Sequence, residues 1–210
     1  AEKNGARVVR EKVTLEAVGE EVRVRLGGEV QAFDAVVLSS GAWVKELLDP
    51  LGYYVDVRPQ KGQLIELTLE TTEDTSKWPV CMLHGEIDIL PFPDGNILVG
   101  ATHENTQGFD LVPDEELLNG MYEEACASLP SLKNAKRSGV RVGTRAYTSD
   151  FLPFFGEVPN TTNAFVSSGL GSSGLTSGVW IGECLARMAA GEEVGFSVEK
   201  YTPQNYVRKV

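Results

Sequence analysis

The residues best suited to chemistry lie between positions 143 and 176. The stretch 166–176, VSSGLGSSGLT, sets Gly169, Gly171 and Gly174 in a GxGxxG spacing. Glycines let a ligand come close to the backbone, and the N–H groups that open a helix favour negative charge. Three readings stand: a dinucleotide fingerprint, a helix N-terminus aimed at some other electron-rich group, or a tight structural turn. The first requires a following parallel strand and an acidic residue about 20 positions on. Glu192 and Glu193 fall near that distance, but the 17 residues after Glu193 leave no room for the rest of a nucleotide domain. Upstream, 143–156 reads GTRAYTSDFLPFFG, with Arg145 at the end of an expected strand. An arginine fork there grips a carboxylate, or pairs with one of the protein's thirty acidic side chains; spacing alone does not choose. Asp88 alternates with Ile87 and Ile89 as a solvent-side strand residue. His84 and His103 fit no metal-ligand spacing, so no metal site is expected.

Composition narrows the class of protein that must position these groups. Of 210 residues, 42% are hydrophobic and 23% charged, which is globular and excludes a disordered tail or a fibre. The net charge of −11 repels a phosphate backbone, so nucleic acid is not an expected partner. No apolar run approaches the roughly 18–20 residues of a membrane span, and the opening AEKNGARVVREK carries no signal-peptide pattern. Cys81, Cys126 and Cys184 have no CxxC spacing and read as reduced thiols of a cytoplasmic protein.

Patterning gives the elements. Residues 5–10 lean towards a strand; 13–18, 22–26 and 29–33 then alternate as an antiparallel meander. The run Ala35-Val36-Val37-Leu38 lacks alternation and reads as a strand buried on both faces, ending in Ser39-Ser40-Gly41. Strands are expected over 63–69, 85–90, 96–101 and 140–146. Pro113-Asp114-Glu115-Glu116 opens a helix whose apolar spacing runs to Leu129. A strand over 164–167 and a helix over 175–190 close the pattern. The expected fold is α+β: an antiparallel sheet with a packed helix, inserted into an α/β layer built from the two outer sections.

Six segments, in order, resemble the C-terminal part of the D-amino-acid oxidase and glycine oxidase family of FAD-dependent oxidoreductases. They are AFDAVVLSSGAW, RPQKGQLIEL, LPFPDGNILVGATHE, GTRAYTSDFLPFFG, SSGLGSSGLTSG and EVGFSVEKYTPQNY. The resemblance implies three sections: residues 1–55 as part of a Rossmann-like FAD-binding domain, 56–146 as a substrate domain, and 147–210 as the return to the FAD domain. It implies FAD as cofactor and an amino acid or amine as the small-molecule substrate, oxidised to an imine by hydride transfer. Arg145 falls on the position that binds the substrate carboxylate. Gly169, Gly171 and Gly174, with Ser172, Ser173, Leu175 and Thr176, fall on the turn whose helix end meets the flavin. Val13, Ser40 and Gly41 fall where the family's backbone lines the adenine half.

Departures accompany the match. Leu170 stands where the family often has histidine. Asp88 and His103 fall on substrate-facing positions where apolar or aromatic side chains are expected, which points to a more polar pocket than one for glycine. The family's N-terminal GxGxxG region is not in this sequence, so the chain is expected to be a fragment that binds FAD weakly and is inactive alone. Homo-oligomerisation stays open. Two other readings stand beside this one: a non-catalytic ligand-binding module, and an NAD-binding protein using Gly169–Gly174 as its fingerprint.

Overall fold

A computed structural model describes residues 2–85 and 87–210. In chain order the strands are β1 (Thr14–Val18), β2 (Glu21–Leu26), β3 (Glu29–Gln31), β4 (Val36–Leu38), β5 (Tyr53–Val55), β6 (Arg58–Thr68), β7 (Cys81–Met82), β8 (Asp88–Pro91), β9 (Asn96–Gly100), β10 (Lys136–Tyr147), β11 (Phe154–Glu157), β12 (Ala164–Ser168) and β13 (Val207–Lys209). The α-helices are α1 (Val44–Leu48), α2 (Glu115–Ser128) and α3 (Gly174–Ala189). The chain forms two compact units, one of residues 1–58 with 146–210, the other of residues 59–145. Among the described residues no helix is long and apolar enough to cross a membrane.

The first unit is organised around β12. It pairs in parallel with β4, Ala164 opposite Val36 and Val166 opposite Leu38, and antiparallel with β11. All five of its residues are buried. Alternate side chains serve opposite faces, as strand geometry requires. Ala164 and Val166 join a core with Leu15, Val44, Leu48 and Phe154, whereas Phe165 packs with Ile181, Cys184 and Leu185 of α3. The meander β1–β2–β3 forms as its alternation predicts, with Leu15 opposite Val24 and Val24 opposite Gln31.

Two expectations are corrected in this unit. Residues 5–10 form no strand, because the β-branched Val8 and Val9 find no partner strand there. The run 35–38 is not buried on both faces: Val37 is 44% exposed. Its strand β4 lies at the edge of the sheet order β11-β12-β4, while α3 packs over β11 and β12. Short β5 and β13, which pair through Val55 and Val207, carry too little pattern to be foreseen.

The second unit is a five-stranded sheet in the order β10-β6-β9-β8-β7. On one face Ile65, Leu67, Ile89, Ile97 and Val99 pack beneath Leu118, Met121 and Ala125 of α2. The helix starts where the sequence puts it. Asp114 caps it, its carboxylate accepting from the N–H groups of Glu116 and Leu117, with Glu115 and Glu116 in the positive first turn. The expected strand over 85–90 starts at Asp88, and Glu86 lies outside the described residues. β10 is longer than the expected 140–146, reaching back to Lys136.

Candidate functional site

In the first unit, two of the flagged turns meet at one end of the parallel pair. Ser39-Ser40-Gly41 leaves the carboxyl end of β4, and Gly169-Leu170-Gly171 leaves the same end of its neighbour β12. Ligands of open α/β sheets bind outside the carboxyl ends of parallel strands. The turns are tied together by the Ser168 hydroxyl, which donates to the Gly41 carbonyl at 2.8 Å. Gly169 and Gly171 take left-handed φ values of 74° and 54°, and Gly171 N–H donates to the Ala146 carbonyl at 2.7 Å. A Cβ on Gly169 would lie 2.9 Å from the Thr148 methyl and 3.0 Å from the Leu152 carbonyl oxygen. This turn aims α3.

The start of α3 is open to a ligand. Its preceding residue, Ser173, makes no side-chain cap; the hydroxyl donates instead to the Leu170 carbonyl. The first N–H groups of a helix have no partner inside it, so those of Gly174 and Leu175 form a positive end facing outward. Leu175 is 99% exposed at this end. On the neighbouring turn the Ser40 hydroxyl is buried, with no hydrogen-bond partner among the described residues. An unsatisfied buried hydroxyl beside an uncapped helix end suits an electron-rich, hydrogen-bonding cofactor. Val13, flagged with these residues, sits half-buried in the loop entering β1, on neither turn.

α3 also decides against the dinucleotide fingerprint. That reading needs a strand returning parallel to β12. The chain after α3 instead runs through irregular structure to β13, which pairs antiparallel with β5.

In the second unit, Arg145 heads the face of the sheet opposite α2. Its Nη1 donates to the Thr102 carbonyl at 3.0 Å and to the Gln60 side-chain oxygen at 3.4 Å. Beside it is a hollow of 250 Å³ lined by Gly62, Leu64, Ala101 and the end of β10. Directly paired residues share a face in an antiparallel sheet. Asp88 pairs with Gly100, and Gly100 with Leu64, so the carboxylate of Asp88 is on the face that carries Arg145. His103 goes elsewhere: it lines a 610 Å³ cavity against α2 with Glu116, Met121 and Glu124. Among the described residues no cluster of three or more His, Cys, Asp or Glu could hold a metal.

Several residues behind Arg145 carry no sequence signal. Glu104 accepts from the Thr102 hydroxyl at 2.6 Å and from Gln63 Nε2 at 2.8 Å, with Lys61 Nζ 3.9 Å from its other oxygen. Gln63 is fully buried, and the side chain of Lys61 is nearly so. Each is a polar residue in a strand whose pattern calls for core. A buried charge needs a partner, and that need was the only available pointer to Glu104.

Comparison with known proteins places the fold in a family. A family model described as FAD dependent oxidoreductase (DAO) matches residues 1–188. The chain is 38% identical to the uncharacterized oxidoreductase YurR of Bacillus subtilis (strain 168), over 97% of this chain and 55% of that protein. It is 31% identical to a glycine oxidase of Pseudomonas aeruginosa, over 84% of this chain and 47% of the relative. The crystal structure of iminodiacetate oxidase from Chelativorans sp. BNC1 superposes with a TM-score of 0.90 at 32% identity, over 96% of this chain and 55% of that one. The chain thus spans about half the length of the curated relatives it matches.

Proposed function

The chain belongs to the DAO family of FAD-dependent oxidoreductases, and from that premise we propose that it serves the oxidation of an amino acid or related carboxylate-bearing amine. The observation that carries the reading is Arg145, whose guanidinium is held by Thr102 and Gln60 beside a hollow on the sheet face opposite α2. A guanidinium in a fixed orientation binds a carboxylate through two parallel hydrogen bonds. Glycine and iminodiacetate, named for two of the relatives, both carry a carboxylate one carbon from the amine nitrogen. Asp88, on the same face, offers an acceptor for that nitrogen.

FAD fits the first unit. Ser40 and Gly41 on one turn, and the backbone of residues 172–176 on the other, would hold it; the buried unpartnered hydroxyl of Ser40 and the uncapped end of α3 support this. When bound, FAD supplies the acceptor for a hydride from the carbon bearing the amine, and the resulting substrate imine hydrolyses in water. The N–H groups at the start of α3 favour negative charge there by about 1 kcal/mol or more when partly buried. Arg145 fixes the carboxylate and so restricts the substrate's orientation, which is a large part of the rate in such reactions.

The test is Arg145→Lys in a protein carrying this chain at the full length of its relatives, with FAD bound. The expected result is a KM for carboxylate-bearing amines raised about tenfold or more, from loss of the bidentate pair, with the flavin absorbance unchanged. Unaltered kinetics on every such substrate would overturn the carboxylate role. Loss of flavin would move Arg145 from substrate binding to cofactor binding.

A further inference from the structure

Gly62 lies within the long strand β6 and has an ordinary extended backbone, so neither a turn nor a left-handed conformation calls for glycine there. Glycine inside a strand weakens it, and any side chain of the right character would serve the sheet better. What occupies the place of a side chain is the head of Arg145. A Cβ built on Gly62 would lie 2.7 Å from Cζ and 2.8 Å from Nη2, with Nη1 closer still. Three atoms of one plane at nearly equal distance mean that the guanidinium lies flat on the Gly62 backbone.

The other sides of this seat are also fixed. The Thr102 carbonyl, which receives Nη1, belongs to a segment clipped to β6 at several points. Thr102 N–H donates to the Gln63 carbonyl, and Gln63 N–H donates back to the Thr102 hydroxyl. That hydroxyl in turn donates to Glu104, whose backbone is bridged to Lys61 in both directions. Gln60, two residues before Gly62 on the same side of β6, supplies another acceptor.

We propose that Gly62 is a positioning residue for carboxylate recognition: its missing side chain is what lets the Arg145 guanidinium lie flat and meet a carboxylate edge-on. The inference rests on the carboxylate role of Arg145 and adds the position that sets its geometry. It separates fold from function at a single site. The atoms a Cβ would meet are the far end of a flexible side chain, so alanine is accommodated by displacing the guanidinium while the sheet stays intact.

The experiment uses the 210-residue chain, with acetate as the carboxylate probe, and follows the Arg145 Nε–Hε signal by NMR alongside thermal unfolding. In Gly62→Ala the melting temperature is expected to hold or rise, the Arg145 signal to move, and the acetate dissociation constant to rise about tenfold or more, as loss of a bidentate pair implies. An unmoved Arg145 signal with unchanged acetate affinity overturns the proposal and leaves the role of Arg145 standing. Acetate binding that survives Arg145→Gln overturns that role instead, while the Nε–Hε signal compared between wild type and Gly62→Ala, which both keep the arginine, reports the seat. Should Gly62→Ala fail to fold, Gly62→Ala combined with Arg145→Gln removes the collision. Recovery of the fold in the double variant supports the seat, and continued failure overturns it.

Discussion

Single residues carry long-range order in the first unit, and Asn163 is the clearest case. Its side-chain oxygen accepts from Val22 N–H at 2.8 Å, and its Nδ2 donates to the carbonyls of Val22 and Phe33. One buried amide therefore joins the residue before β12 to β2 and to the segment that follows β3. Each partner is a backbone group that would lose its bond together with its access to water. Asn163→Ala is expected to destabilise the protein by about 2–4 kcal/mol, since each buried group left unsatisfied costs about 1–3 kcal/mol and relaxation recovers some. Asn163→Asp keeps the acceptor but not the donors, and is expected to be about as damaging. Urea unfolding of both variants checks this; a loss under 1 kcal/mol for alanine would mean that water replaces the amide.

At the scale of elements, the turn into α3 gives the sharpest contrast. Gly169 and Gly171 both have left-handed φ, but only Gly169 is hemmed in; a Cβ on Gly171 meets nothing within 4 Å. Gly171→Ala should therefore cost only the left-handed conformation, about 1–2 kcal/mol. Gly169→Ala adds a collision with the Leu152 carbonyl, which cannot swing aside as a side-chain end can, and should cost at least 1 kcal/mol more. Equal losses in thermal unfolding would mean that the turn shifts freely. The same contrast shows what is legible in a sequence. The acidic opening of α2, its apolar rhythm and the helix that follows the glycine turn are local, and each forms where the pattern predicts, whereas the capping role of Asp114 is seen only in the structure. β5 and β13 were not, because three residues carry no period and their pairing joins chain segments about 150 positions apart. Val8 and Val9 misled by propensity alone, and Val37 by a run of apolar residues that ends at a sheet edge. Arg145 could be singled out by type and context. Its seat on Gly62 could not, since nothing in QKGQ points to a side chain arriving from β10.

At the scale of the whole chain, the two units have separate cores, and the first is closed by the last residues of the sequence. β13 pairs with β5, the Tyr206 ring stacks on Phe154 at 5.0 Å, and its hydroxyl donates to Asp150 at 2.9 Å. Burial, then the bond to Asp150, pushes the Tyr206 hydroxyl up to about 12 from 10.0. Burial acts to raise Asp150, but hydrogen bonds from Leu152 N–H, the Thr148 hydroxyl and Tyr206 outweigh it and hold the carboxyl below 3.8. The signs bracket a window. The raised tyrosine contributes stability in full below pH 10 and loses it as pH climbs through 12; the lowered carboxyl contributes above pH 3.8 and loses it as pH falls through its folded value. Other tyrosines also titrate at high pH, so the useful quantity is the difference between wild type and Tyr206→Phe. Near pH 7 the variant should be less stable by about 1 kcal/mol, for loss of a bond to a charged acceptor. Between pH 10 and 12 the Tyr206 hydroxyl ionises in the unfolded chain but stays protonated in the folded one, which costs the wild type alone on the order of 2 kcal/mol. The two curves of unfolding free energy against pH should then converge and cross. Parallel curves would mean that the hydroxyl ionises without opening the tail, and that β13 and the Phe154 stack alone hold the C-terminus to the unit.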